Sequence, residues 1–303
     1  GVKNAFEACV FTFGIVQGGG AGKLLADIIV EGEPETDSWA VDPRRYTNHV
    51  DLEYTKAKAI ETYSHEYAMH FPQIQWPAGR PAKVSPIYDS LLKAGAVMGS
   101  YGGWERADWF TNNESLKKPA NSYDRQHWFD DVSKECNHVA EHCGVIDLTG
   151  FSRFEISGEG TSQWLETLIT GRLPKIGKVG LIYFSSHKGK VLTEMTATRI
   201  SEDHVWLLTG AGAYWHDRDW LNFNLPESSN IKIVDATHDL GTMLLTGPKS
   251  DLLIAKLTDE KTDNKSFPWL SHKSIKLCGE DTRVLKVSYA GEKGFEIHVH
   301  NNS

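Results

Sequence analysis

VLTEMTATRISEDHVWLL, residues 191–208, decides the fold class. Residues 191–200 and 205–208 read as two successive strands, the first with the period-two alternation that sends side chains to opposite faces. A helix is predicted over 214–223, and strands follow at 231–234 and 243–246 with no helix between them. Further strands are predicted over 154–156, 284–289 and 295–299, and helices over 162–168 and 248–257. The last helix opens on Pro248, whose missing N–H has no partner to lose in a first turn. Strands and helices do not alternate strictly, so the chain reads as α+β rather than as a doubly wound parallel sheet.

Working outward toward the N-terminus, residues 8–13 are apolar and β-prone, Gly14 follows, and Gln17-Gly18-Gly19-Gly20-Ala21-Gly22 precedes Leu24, Leu25, Ile28 and Ile29 at helical spacing. This predicts strand, glycine turn and helix, with Gly32 as the stop. Such a turn would let backbone N–H groups face an anionic or electron-rich ligand, and a tight packing corner explains the glycines equally well. The Walker pattern fails, because Gln17 stands at its first glycine and Leu24 at its hydroxyl; the dinucleotide fingerprint fails because Lys23 occupies its third glycine. A polar connection with Pro34 and Pro43 spans 31–45. A helix follows, with Ile60, Tyr63 and Tyr67 at the spacing of a core-facing stripe. Repeated prolines from Pro72 to Pro86 then place a boundary near Ser85.

The 303 residues are 40% hydrophobic and 24% charged, which excludes a disordered or fibrous chain and allows about two domains. A net charge of -8 argues against a phosphate backbone as partner. No apolar run approaches the roughly 18 residues that span a bilayer, and four scattered cysteines make no disulfide framework, so a soluble chain of a reducing compartment is expected. The start at Gly1 and the stop just after a strand suggest a piece of something longer.

Several motifs lead away from common chemistries. His65 and His70 are i and i+5, about 140° apart on a helix, so they cannot share a zinc from one face. Cys136, His138, His142 and Cys143 form a denser set, expected to be a buried Cys pair with two surface histidines and no metal. Gly150-Phe151-Ser152-Arg153-Phe154 lacks the second glycine of a nucleophile elbow. Asp147 stands among apolar residues in Gly144-Val145-Ile146-Asp147-Leu148-Thr149, where a strand or turn should start. It is either a turn residue satisfied locally or a desolvated acid/base group. In Tyr289-Ala290-Gly291-Glu292-Lys293-Gly294-Phe295-Glu296, a strand, glycine turn and strand, the two carboxylates could bind a heterocycle with adjacent N–H and amino donors. A solvated tip explains Glu292 as well, but Glu296 less well, since Phe295 and Ile297 flank it.

Taken together, these motifs are familiar. Residues 1–23 through Gly14 and Gly18 to Lys23 resemble the end of the flavin domain of dimethylglycine and sarcosine dehydrogenases. Asp42 to Tyr46, Glu61 to Tyr67 and Gly79 to Pro86 resemble the central domain of those enzymes. Gly103-Trp104-Glu105-Arg106, Trp109-Phe110, Val145-Ile146-Asp147, Gly189-Lys190-Val191 and Tyr289 to Glu296 resemble their folate-binding half, which is related to the aminomethyltransferase of glycine cleavage. The resemblance implies three parts: 1–32 closing an FAD-dependent oxidoreductase domain, 33–86 its central domain, and 87–303 a truncated aminomethyltransferase-like domain.

The implied chemistry has two stages. FAD takes hydride from the N-methyl carbon of a dimethylglycine- or sarcosine-type amino acid, and tetrahydrofolate traps the iminium as methylene-tetrahydrofolate. Gly14, Gly18, Gly19 and Gly20 would offer N–H groups to the flavin edge, Asp147 would assist proton movement at the folate amine, and Glu296 with Tyr289 and Glu292 would hold the pterin. A separate electron acceptor (flavoprotein, quinone or oxygen) is implied, and either bacterial cytoplasm or the mitochondrial matrix. Lys190 at a usual glycine and Thr149 at a usual serine are mild departures; the missing nucleotide-binding unit and last folate-side domain imply that the piece alone does not oxidise an amine. Rival readings are a folate-dependent aminomethyl or methyl transferase with a remnant flavin domain and a non-catalytic folate-binding protein.

Overall fold

A computed structural model of the protein describes residues 4–9, 14–289 and 291–301. The chain forms two compact units, Gly1–Arg45 and Tyr46–Ser303, so one unit boundary falls inside the stretch expected to be the central domain. Among the described residues no helix is long and apolar enough to cross a membrane.

In the first unit, α1 runs over Gly14–Glu31 and none of its residues is buried. The glycine turn is therefore corrected: Gly18, Gly19 and Gly20 lie inside a helix. Each glycine costs about 1 kcal/mol of helix propensity. The strong helix formers from Ala21 to Ile29 and a Lys23–Asp27 ion pair at 2.8 Å, one turn apart, offset that cost. The strand expected over 8–13 runs into residues 10–13, which lie outside the described residues.

The second unit opens with α2 (Leu52–Ser64), whose N-cap Asp51 accepts from the Tyr54 N–H at 2.8 Å. Its expected core stripe is overturned, because Ile60 and Tyr63 are 63% and 67% exposed and Tyr67 lies beyond the helix. The buried residue is Glu61, which accepts from the Lys58 ammonium at 2.7 Å and the Ala78 N–H at 2.8 Å. A paired carboxylate thus holds the helix to the following loop where apolar spacing predicted grease. After α3 (Tyr88–Lys93), β1 (Ala96–Tyr101) and β2 (Trp104–Phe110) form an antiparallel pair, and α4 covers Phe129–Glu141.

Two antiparallel sheets follow. One contains β5 (Ile169–Thr170), β6 (Val179–Ser185), β7 (Val191–Ser201), β8 (His204–Thr209), β4 (Ser152–Ser157) and β9 (Lys232–Asp235), in that order. The other contains β11 (His272–Leu277), β12 (Glu280–Leu285), β13 (Gly294–His300), β10 (Leu240–Thr246) and β3 (Gly144–Asp147). Helices α5 (Thr161–Leu168), α6 (Tyr214–Phe223) and α7 (Ser250–Ile254) complete the mixed α+β architecture. β8 is buried on both faces: Val205 and Leu207 join the core that includes Trp164, Leu165 and Leu221 from α5 and α6, and Trp206 and Leu208 join Leu240 and Leu285 of the second sheet.

The strand expected over 284–289 ends at Leu285. Its pairing is set from the other side by a two-residue turn, Cys278 (φ 51°) and Gly279 (φ 93°), which closes the β11–β12 hairpin with Leu277 opposite Glu280. The helix expected over 248–257 shortens to α7. Cys136 on α4 is exposed and Cys143, just past the helix, only half-buried, so the expected buried cysteine pair does not form; the His138 and His142 rings stack at 4.8 Å instead.

Candidate functional site

Asp147 is the last residue of β3, not the first of a strand, and it is buried. β3 is held by β10, with Met243 opposite Asp147, and the chain then turns so that Thr149 N–H donates to Asp147 Oδ1 at 2.9 Å. The second oxygen, Oδ2, accepts from the Ser85 hydroxyl. Ser85 precedes Pro86, and a residue before proline is confined to extended backbone, which helps fix that hydroxyl's direction. Each carboxylate oxygen has a further lone pair, so both can accept again.

These groups line a cavity of about 220 Å³. Its other walls come from the β1–β2 turn (Gly102), the start of β2 (Trp104, Glu105, Arg106), the turn after β3 (Gly150, Phe151) and residues 210–212. The fit is close: a Cβ on Gly150 would stand 3.2 Å from Trp104 Cγ, and one on Gly102, at φ +60°, would stand 3.1 Å from Ala211 Cβ. Glu105 is anchored from outside the cavity by Arg80, whose Nε and Nη2 donate to its two oxygens at 2.8 and 2.6 Å. That bidentate pair ties the loop before Ser85 to the β2 wall.

Behind the cavity lies a buried polar network that holds Glu296, named from the sequence, and Arg153 and His298, which sequence reasoning missed. Arg153 is fully buried; Nη1 donates to the carbonyls of Thr149 and Thr237 at 3.2 and 3.1 Å, and Nη2 to the Thr242 hydroxyl. Burial pulls its pKa down to about 10, against the charges of Glu296, Asp147 and Asp235. The side chain thus stays a cation and pins the turn that carries Thr149. Glu296, 2% exposed on β13, lies 3.3 Å from His298 Nε2, and His298 Nδ1 meets the Thr242 hydroxyl at 2.8 Å. Burial lowers the His298 pKa to about 4, so the pair is a hydrogen bond to neutral imidazole at neutral pH. A fully buried arginine among small polar residues has no spacing signature, which is why it was missed.

Tyr289 reaches this region from the β12–β13 connection, with its ring 5.9 Å from that of Phe151 in the cavity wall. Half the residue is exposed, yet desolvation of its hydroxyl end, then the Glu296 charge, raises its pKa. Glu292 is half-buried in the same connection, and Ala290 lies outside the described residues. The structure therefore brings Asp147 and Phe151 into the cavity lining and sets the Tyr289 ring beside Phe151, while Glu296 is buried in the network with His298.

The expected flavin glycines belong to the first unit, on α1. From Gly18 onward, N–H groups inside α1 point at carbonyls four residues back, and a Cβ on Gly14, Gly18, Gly19 or Gly20 would meet nothing within 4 Å. The backbone-donor turn expected of Gly18, Gly19 and Gly20 is therefore replaced by helix. His65 and His70 pack on one indole, Trp76, at 4.8 and 5.6 Å, beside a separate cavity of about 370 Å³.

Residues 87–303 match the GCVT N-terminal domain, and residues 31–85 match the FAD dependent oxidoreductase central domain. Dimethylglycine dehydrogenase, mitochondrial, from Rattus norvegicus is 33% identical over 300 residues, 98% of this chain and 35% of the relative. The chain belongs to the family of the GCVT N-terminal domain. Sarcosine dehydrogenase, mitochondrial, from Homo sapiens is likewise similar, 26% identical over 346 residues, 98% of the chain and 37% of that protein. The crystal structure of the glycine cleavage system aminomethyltransferase T from Bartonella henselae superposes with a TM-score of 0.59 at 21% identity, over 73% of this chain and 54% of that one, which shows a shared fold. The chain spans about a third of the length of the curated dehydrogenases it matches.

Proposed function

We propose that the chain supplies the central part (33–86) and the folate-side part (87–303) of an FAD- and tetrahydrofolate-dependent dehydrogenase that demethylates an N-methyl amino acid of the dimethylglycine or sarcosine type. Residues 1–32 would close its flavin domain, and reducing equivalents would leave to a flavoprotein, a quinone or oxygen. The mitochondrial relatives support a matrix location for a eukaryotic source; a bacterial source would place it in the cytoplasm. The flavin half rests on the family matches, since Gly18, Gly19 and Gly20 have their N–H groups turned into α1.

The observation that carries the folate half is Asp147: a buried carboxylate, braced on both oxygens, at the wall of a cavity with aromatic sides. About 220 Å³ is below the roughly 300–1,000 Å³ of pockets for whole drug-sized ligands, so it suits a fused ring system whose tail lies outside. Trp104 and Phe151 would cover the ring and keep out water, and Tyr289, Glu292 and Glu296 would read its polar edge. When bound, tetrahydrofolate supplies the amine that accepts the one-carbon unit. Asp147 would hold the proton of that amine, through the lone pairs that Ser85 and Thr149 leave free.

In the intact protein, Asp147→Asn should leave amine oxidation running while coupling to folate falls by about 10²-fold or more, with free formaldehyde rising in step. Formaldehyde released per substrate oxidised, measured with saturating tetrahydrofolate, is the readout; unchanged coupling would remove Asp147 from the reaction.

A further inference from the structure

Lys83 stands just before the Val84-Ser85 segment and pairs with the wall of the same cavity: its N–H donates to the Gly103 carbonyl at 2.9 Å, and its carbonyl accepts from the Glu105 N–H at 2.9 Å. The ammonium lies 5.7 Å from the centre of the Trp104 ring and 3.4 Å from the Gly102 carbonyl, and Gly102 and Trp104 both line the cavity. Among the described residues no carboxylate is within ion-pair distance of it. Its close partner is the Thr47 hydroxyl, which in turn meets His49 Nδ1 at 2.9 Å. His49 packs against Gly103, where a Cβ would stand 2.6 Å from its ring. The glycine at φ +85° thus makes room for the imidazole.

This is an unusual setting for a lysine. The Thr47 oxygen accepts from the ammonium and keeps one proton of its own, which in the tautomer with Nδ1 unprotonated it donates to His49 Nδ1, making the imidazole a neutral base at the end of the chain. Burial, then the Lys83 charge, lowers the His49 pKa, and burial alone lowers that of Lys83 to about 8. An amine without a counter-ion, linked to a neutral base beside a cavity, has the features of a carbonyl-reactive lysine.

We propose that Lys83 is a one-carbon capture site: its amine takes formaldehyde, or the methylene of the substrate iminium, as an imine beside the cavity and hands it on to an acceptor amine. The proposal rests on the reading above for the identity of the one-carbon donor. A proton leaves the Lys83 ammonium for Thr47 as the Thr47 proton passes to His49. The amine lone pair forms a C–N bond to the aldehyde carbon while the C–O π pair moves to oxygen, which takes the proton back and gives a carbinolamine. Loss of that hydroxyl together with one proton of the lysine nitrogen, as water, leaves the protonated imine Lys83 NH⁺=CH₂, with no change of oxidation state; with the substrate iminium as donor, the demethylated substrate amine leaves in place of water. Attack by the acceptor amine and departure of the lysine nitrogen complete the transfer.

The test uses the intact protein, limiting ¹³C-formaldehyde and cyanoborohydride at neutral pH, with peptide mass spectrometry. A lysine near pKa 8 has far more neutral amine than an ordinary one, so Lys83 should be labelled at least about tenfold faster than Lys276, whose side chain is 67% exposed. His49→Gln should slow Lys83 labelling about fivefold and leave Lys276 unchanged, with circular dichroism as the check on folding. Equal rates at Lys83 and Lys276 in the unmodified protein overturn the proposal, whatever the variants do. Folate binding, followed by tryptophan fluorescence, separates the two readings. Binding without Lys83 labelling sinks this site alone, and labelling without binding supports the amine while sinking the folate assignment.

Discussion

His298 packs edge to face under Trp206, with ring centroids 4.5 Å apart, and turns its nitrogens to Thr242 and Glu296. Its pKa in the fold is about 4, against 6.5 when free. Between those values the unfolded chain binds the proton that the native chain refuses, so stability is complete above about pH 6.5 and is lost as pH falls toward 4. The full window is worth roughly 3 kcal/mol. Urea midpoints measured from pH 7 to 4 should therefore decline steeply for the native protein and less steeply for His298→Gln. Parallel profiles would assign the acid sensitivity elsewhere. The same burial makes Arg153 a fixed charge of the interior, and removing it by Arg153→Met would leave the Thr149 and Thr237 carbonyls unpaired, at a cost of about 3–5 kcal/mol.

At the scale of elements, β8 and β3 are opposites. β8 is central, and Leu207 is fully buried between β7 and β4 neighbours; β3 is an edge strand whose Val145 is 55% exposed. Leu207→Ala should cost about 2–5 kcal/mol by chemical denaturation, whereas Val145→Thr should change stability by less than about 0.5 kcal/mol. The β7–β8 stretch could be read in advance because alternation and branched side chains agree with burial there. The glycine run and the α2 stripe could not. Glycine spacing cannot distinguish a turn from a helix carried by its neighbours, and periodic Ile60 and Tyr63 say nothing of which face a buried Glu61 claims. In the site, Asp147 was legible as a carboxylate among apolar residues. Its brace from Ser85, 62 residues earlier, was not, since no local pattern encodes a contact at that separation. The β11–β12 register was hidden in a Cys278-Gly279 pair that only its left-handed backbone reveals as a hairpin turn.

For the whole molecule, the two units differ in what holds them. The buried hydrophobic residues all fall between Ala96 and Ile297, and among the described residues Gly1–Arg45 contributes none. A chain of residues 46–303 should then melt as cooperatively as the complete one, with a midpoint within about 3 °C. A broad or strongly lowered transition would assign 1–45 a structural share. Asp147 draws its supports from both directions along the sequence: Ser85 from upstream, and β10, at Leu240–Thr246, from about a hundred residues downstream. During synthesis, therefore, a ribosome that has just released Asp147 has not yet made the strand that seats it. The acid would be among the last parts of the protein to mature, and a nascent chain interrupted before residue 240 would carry the aspartate without its chemistry.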